Sequence, residues 1–134
     1  MKIKLILLAS LFAVGFAMSA TAGSVTDTDG DGVPDVFDNC SEDPNGPNEA
    51  PRNQVDTDLD GFGNWCDADY DNNGVVDGGD FGEFVANFNT GNAETDHDSN
   101  GVTDGGDFGR FVALFNMGPG PSGLSCAGTV PCTP

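Results

Sequence analysis

Four times between residues 27 and 107 the chain lays down one twelve-position pattern, with oxygen-bearing side chains at positions 1, 3, 5, 9 and 12 and glycine at position 6. The first copy places Asp27, Asp29, Asp31, Asp35 and Asp38 around Gly32. The second places Asp56, Asp58, Asp60, Asn64 and Asp67 around Gly61. The third has Asp69, Asp71, Asn73, Asp77 and Asp80 around Gly74, and the fourth Asp96, Asp98, Asn100, Asp104 and Asp107 around Gly101. An acidic tail that is merely solvated would not return glycine to the same place in every copy.

That spacing suits one kind of chemistry. A hard divalent cation takes about six to eight oxygens at roughly 2.3 to 2.6 Å, and a short loop supplies them only by turning alternate side chains inward while it curls. Positions 1, 3 and 5 do so, and glycine at 6 permits the sharp turn. The main-chain carbonyl of position 7 adds a ligand, here from Val33, Phe62, Val75 and Val102. Position 9 contributes directly or through water, and the acid at position 12 closes the shell. The expected cofactor is calcium, about four ions. Position 12 is aspartate throughout, and Asn64, Asn73 and Asn100 replace charged ligands. The loop at Asp27 is therefore expected to bind most tightly.

The start of the chain reads as an export signal. Lys2 and Lys4 precede an apolar run from Leu5 to Phe16, and Ala20-Thr21-Ala22 forms a small-residue cleavage site before Gly23. Removing 22 of the 134 residues leaves 112, enough for one domain or two very small ones. Both lysines leave with the signal, so two arginines, Arg52 and Arg110, face 22 acidic residues, a formal charge of −20. Such repulsion opposes compaction, and the eight remaining phenylalanines are a small counterweight. Cations are thus expected to be part of the fold. Nucleic acid is excluded as a partner, because phosphate binding needs a basic surface.

Cys40, Cys66, Cys126 and Cys132 all lie in the exported part. An even count in an oxidising compartment reads as two disulfides, and of three possible pairings we expect Cys40 to Cys66 and Cys126 to Cys132, each bracketing a compact segment. Zinc is disfavoured, since there is one histidine and no pair of cysteines two residues apart. After the third and fourth loops, Phe81, Phe84, Val85 and Phe88, and likewise Phe108, Phe111, Val112 and Phe115, fall on one face of a short amphipathic helix. Gly82 and Gly109 each weaken that helix by roughly 1 kcal/mol. The two faces are expected to pack together. His97, at position 2 of the fourth loop, is expected to point into solvent. Trp65 and Phe62 are expected to cover the Cys40–Cys66 bridge. Residues 118 to 123 read as an extended spacer leading to the Cys126–Cys132 loop. No nucleophile with an activating base can be assembled from these residues, so no enzyme activity is expected.

Two resemblances follow from these motifs. Residues 27 to 67 resemble thrombospondin type 3 repeats: the run from Asp27 to Asp38 continues into Asn39-Cys40, and Asn53-Gln54 precedes the run from Asp56 through Cys66-Asp67. Ser41 stands where that family has proline, and Asn64 where it has aspartate. The resemblance implies a chain wrapped around a row of calcium ions with little regular structure. Residues 69 to 115 resemble a type I dockerin, a duplicated calcium loop and helix without the entering helix, which implies a cohesin-like partner. Positions 10 and 11, where that family sets partner choice, are here Gly78-Gly79 and Gly105-Gly106.

The expectations are then a small, mostly irregular, calcium-organised fold, with thrombospondin type 3-like loops and two short antiparallel helices of an EF-hand or dockerin-like pair. The units are a signal peptide over residues 1–22, calcium repeats over 23–67, the helix pair over 68–117 and a tail over 118–134. A secreted monomer without a membrane span is expected, acting as a structural or interaction protein toward an extracellular protein partner or in adhesion. The alternatives are a stand-alone adaptor docking a cohesin, or an accessory piece of a polysaccharide-degrading system.

Overall fold

A computed structural model describes residues 25–133; the expected signal peptide lies outside them. Among the described residues there are two α-helices, α1 (Gly78–Asn87) and α2 (Gly105–Leu114), single 3-10 turns at Asp35–Phe37 and Pro47–Glu49, and no strand. The rest is loop and turn. Neither α-helix is preceded by an entering helix.

Both helices begin inside the third and fourth loops, three residues ahead of the phenylalanine pattern. Asp77 and Asp104 are the N-caps, accepting from the Gly79 and Gly106 amides. Asp80 and Asp107 at N3 complete capping boxes by reaching back to the cap amides. Phe88 and Phe115 leave each helix in extended backbone. Asn89 and Asn116 then turn left-handed, at φ 61° and 64°.

The helices face each other through phenylalanine. The centroids of Phe84 and Phe111 are 5.3 Å apart, and the cross pairs Phe81–Phe111 and Phe84–Phe108 are both at 5.9 Å. Equal cross distances mark an approximate two-fold relation exchanging α1 with α2. The backbone repeats it. Val76 donates to Met117 O and accepts from Asn116, while Thr103 donates to Thr90 O and accepts from Asn89. Each loop is thus tied to the chain leaving the other helix, so neither unit is complete alone.

Under this relation the same positions are apolar in one unit and polar in the other. Ala68, Val76, Phe84, Phe111 and Leu114 form the buried apolar cluster, with Tyr70 against it. Their counterparts include Thr95, His97 and Thr103, all buried, and Asn87. Thr95 Oγ1 and Thr103 Oγ1 are 2.7 Å apart, and Asn92 Nδ2 donates to Asn87 Oδ1. Hydrogen bonds thus hold in the second unit what apolar contact holds in the first.

Two expectations are corrected here, for His97 and for the tail. His97 does not face solvent. It is fully buried, with Nδ1 2.5 Å from Asn64 O and Nε2 3.0 Å from the Tyr70 hydroxyl. A carbonyl only accepts, so Nδ1 carries the proton and Nε2 receives the Tyr70 proton. The ring is neutral, burial pushing its pKa down to about 4. Alternation of inward and outward side chains holds for a loop in water, whereas position 2 of the fourth loop here packs on Tyr70 and Asn64 of its neighbours.

The Trp65 ring packs against cations, a contact that its sequence neighbourhood does not announce. The Arg52 and Arg110 guanidiniums lie over its ring, at 3.7 and 4.5 Å from the centroid, and Arg110 Nε donates to Trp65 O. Backbone lies against the bridge: Gly63 O is 3.4 Å from Cys40 Sγ and Asn39 O 3.3 Å from Cys66 Sγ. A Cβ on Gly63 would come within 2.7 Å of Cys40 Sγ. Phe62 is turned toward the tail, its ring 2.7 Å from where a Cβ on Gly120 would stand.

The tail is no spacer. It runs back over the first two loops, where Gly123 N donates to Asp38 O, Gly120 N to Cys66 O, Gly128 N to Asp60 O and Cys132 N to Leu59 O. The disulfides are Cys40–Cys66 and Cys126–Cys132, and no described cysteine is free.

Candidate metal centres

The four loops share one hydrogen-bond network. The position 6 amide donates to the position 1 carboxylate in each, as Gly32 to Asp27, Gly61 to Asp56, Gly74 to Asp69 and Gly101 to Asp96. The position 5 amide donates to position 3, and the position 7 amide to the position 5 oxygen. The side chains fold inward because the backbone of their own loop solvates them. Two residues per loop are left-handed. Position 6 is glycine at φ 92° to 100°, while position 4 is Gly30, Leu59, Asn72 or Ser99 at φ 56° to 79° in loops one, two and four and 55° in loop three.

The arrangement gathers carboxylates. Oxygens of Asp27, Asp29 and Asp31 lie within 4.8 Å of one another, as do those of Asp56, Asp58 and Asp60, of Asp69, Asp71 and Asp80, and of Asp96, Asp98 and Asp107. In the third and fourth loops the closing acid therefore joins the cluster. Asp80 and Asp107 serve twice there, capping a helix with one oxygen and receiving the position 3 amide with the other. A capping acid at N3 already sits at the loop, which suits the short arm of aspartate.

The first two loops close differently. Asp38 and Asp67 lie outside those clusters. Asp38 Oδ1 accepts from Cys40 N and Gln54 Nε2, and Asp67 Oδ1 from Asp69 N. Position 9 also has a local task. Asp35 accepts from the Thr28 amide and hydroxyl, and Asn64 from the Thr57 amide. Among the described residues no protein donor reaches the carbonyl oxygens of Val33, Phe62, Val75 or Val102, the ligands expected at position 7.

Several observations fit a cation. Asp31, Asp38, Asp60, Asp67, Asp69, Asp80, Asp96 and Asp107 are all buried. The ion pairs among the described residues are Arg52–Glu49 and Arg110–Asp43, neither involving a loop acid. Buried carboxylates without a counter-charge are costly. Asp29 Oδ2 and Asp38 Oδ2 are buried with no hydrogen-bond partner at all. Burial raises the pKa values of Asp29 and Asp38, and neighbouring carboxylates add to the rise. Burial pushes Asp60 up to about 6 and Asp67 to about 8. Glu94, which the repeat does not mark, is raised to about 7 by burial and by Asp58, Asp56 and Asp60. It comes from the linker between the helices, held beside the second loop by Asn64 Nδ2 donating to Ala93 O. The donor set is all oxygen, as a hard cation requires.

No curated protein and no solved structure matches the chain. The Thrombospondin type 3 repeat family matches residues 26–48 and 55–90. The second match passes residue 67, where the resemblance read from the sequence ended, and takes in the third loop and α1. Over residues 26–48 and 55–90 the chain is thus similar to thrombospondin type 3 repeats, a calcium-binding structural repeat of extracellular type.

Proposed function

We propose that this is a secreted structural or interaction protein whose four loops each hold calcium and whose shape depends on it. The single observation that carries the reading is the set of eight buried aspartates with no protein cation among them. The ligands are the oxygens of positions 1, 3, 5 and 12 with the position 7 carbonyls, and position 9 acts on the backbone or through water. About four ions would bring the formal charge from about −20 to about −12, relieving the repulsion that opposes compaction. Native mass spectrometry in calcium tests this. Uptake of about four ions with folding supports it, and a chain that folds without taking up calcium contradicts it.

A second reading, a stand-alone dockerin-like adaptor, is favoured by the helix pair. Phe81, Val85, Phe88, Phe108, Val112 and Phe115 are all exposed, and the near-equal grooves of about 430 and 440 Å³ they help line follow the two-fold relation. Titrating purified cohesin modules onto the calcium-loaded protein tests that reading. Binding lost on Val85→Asp with Val112→Asp supports it, and no binding across a representative panel removes it.

A further inference from the structure

We propose that residues 120–132 form a strap that holds the first two loops in their calcium-binding shape, positioning ligands it does not itself supply. The inference rests on the calcium reading above and assigns the tail a task within it.

The first two loops need what the last two already have. Asp80 and Asp107 are fixed by the helices they cap, but Asp38 and Asp67 have no such helix. The tail bonds the backbone at that weak place. Gly123 N donates at 2.9 Å to the carbonyl of Asp38, the closing residue of the first loop, and Ser41 N returns a bond to Pro121 O. Gly120 N donates at 3.1 Å to Cys66 O, one residue before the second loop closes. Gly128 N reaches Asp60 O at 2.8 Å and Cys132 N reaches Leu59 O at 2.6 Å, the two residues before the Gly61 turn.

Steric fit points the same way. A Cβ on Gly123 would overlap Asp35 O, and one on Gly61 would come within 2.6 Å of Cys132 Sγ and 2.9 Å of Ala127 Cα. Backbone lies against backbone with no room for a side chain. The Cys126–Cys132 bridge keeps the Gly128 and Cys132 donors in one small ring, so less freedom is lost when both engage. Holding a loop in its bound form raises affinity by removing the ordering cost from the binding step.

The position 6 amides resolve the loops individually, since each donates to its own position 1 carboxylate. Nitrogen-15 NMR of the secreted chain in a calcium-buffered series follows Gly32, Gly61, Gly74 and Gly101 separately. The variants are Gly123→Val and the double change Cys126→Ser with Cys132→Ser, and the exposed Ser125→Ala is the control. Gly123→Val is expected to move the Gly32 midpoint to about tenfold higher calcium, and the serine pair to do the same to Gly61, tenfold being about 1.4 kcal/mol. Gly74 and Gly101 should stay within about twofold of wild type, the usual spread for an independent site. Wild-type midpoints for Gly32 and Gly61 in both variants would overturn the strap. So would an equal shift of all four glycines, which reports only general destabilisation. If no glycine of the wild type responds to calcium, the calcium reading itself fails, and the strap with it.

Discussion

At the residue scale, the loops use left-handed backbone at two positions, and the sequence marks only one. Glycine at position 6 was legible because it recurs in every copy. Position 4 was not, because only Gly30 shows it, while Leu59 holds the same conformation at φ 64° without glycine's freedom. A left-handed leucine costs roughly 1 to 2 kcal/mol, less for asparagine. Leu59 is about half exposed, so little packing is at stake. Leu59→Asn is expected to stabilise the calcium-loaded protein by about 0.5 to 1 kcal/mol in thermal or denaturant unfolding.

Charge at single residues also gives a pH dependence. Asp60, Glu94 and Asp67 have folded pKa values of about 6, 7 and 8 without metal, above their ordinary ones. The folded chain then binds more protons than the unfolded one. Metal-free stability therefore falls as pH rises from about 4 toward about 8. Calcium competes with those protons for the loop oxygens, so its affinity rises across the same window. Calorimetry should show calcium binding weaker at pH 4 than at pH 8, because the loop carboxylates must be ionised to take up the ion. Affinity that does not change over that range would contradict the assignment.

At the scale of elements, the helices were legible from phenylalanine spacing, but their starts were not. The capping boxes extend them backward through Gly78-Gly79 and Gly105-Gly106, residues that read as loop. Gly82 and Gly109 are exposed, and a Cβ added to either meets nothing within 4 Å. Gly82→Ala and Gly109→Ala should each stabilise the protein by about 0.5 to 1 kcal/mol in calcium. A loss of stability from either would mean that the glycine does more than lower helix propensity.

The polar counterpart of the apolar cluster invites a double-mutant cycle. Thr103→Val alone leaves the buried Thr95 hydroxyl without its partner and is expected to cost about 1 to 2 kcal/mol. Adding Thr95→Ala recreates the Ala68 and Val76 pair of the other unit and should recover most of that loss. Unfolding in urea at fixed calcium measures it. Additive losses would show that the two hydroxyls do not act as a pair.

At the scale of the whole molecule, oxygen outnumbers hydrocarbon inside. Among the described residues seven hydrophobic ones are buried, two of them the bridged Cys40 and Cys66, against fourteen polar or charged ones. The long bridge spans a sequence separation of 26 residues and contributes about 3 to 4 kcal/mol by restricting the unfolded chain. The carboxylate clusters were legible because their spacing is written in side chains. His97, Trp65 and the tail were not, because their partners are backbone carbonyls and distant rings that leave no local pattern.

Far-ultraviolet circular dichroism of the oxidised protein, before and after exhaustive chelation and again after calcium is restored, bears most directly on metal as the organiser of this interior. The helical signal of α1 and α2 and a cooperative thermal transition should vanish with chelator and return with calcium. A metal-free chain that keeps the same spectrum and the same melting temperature would contradict it.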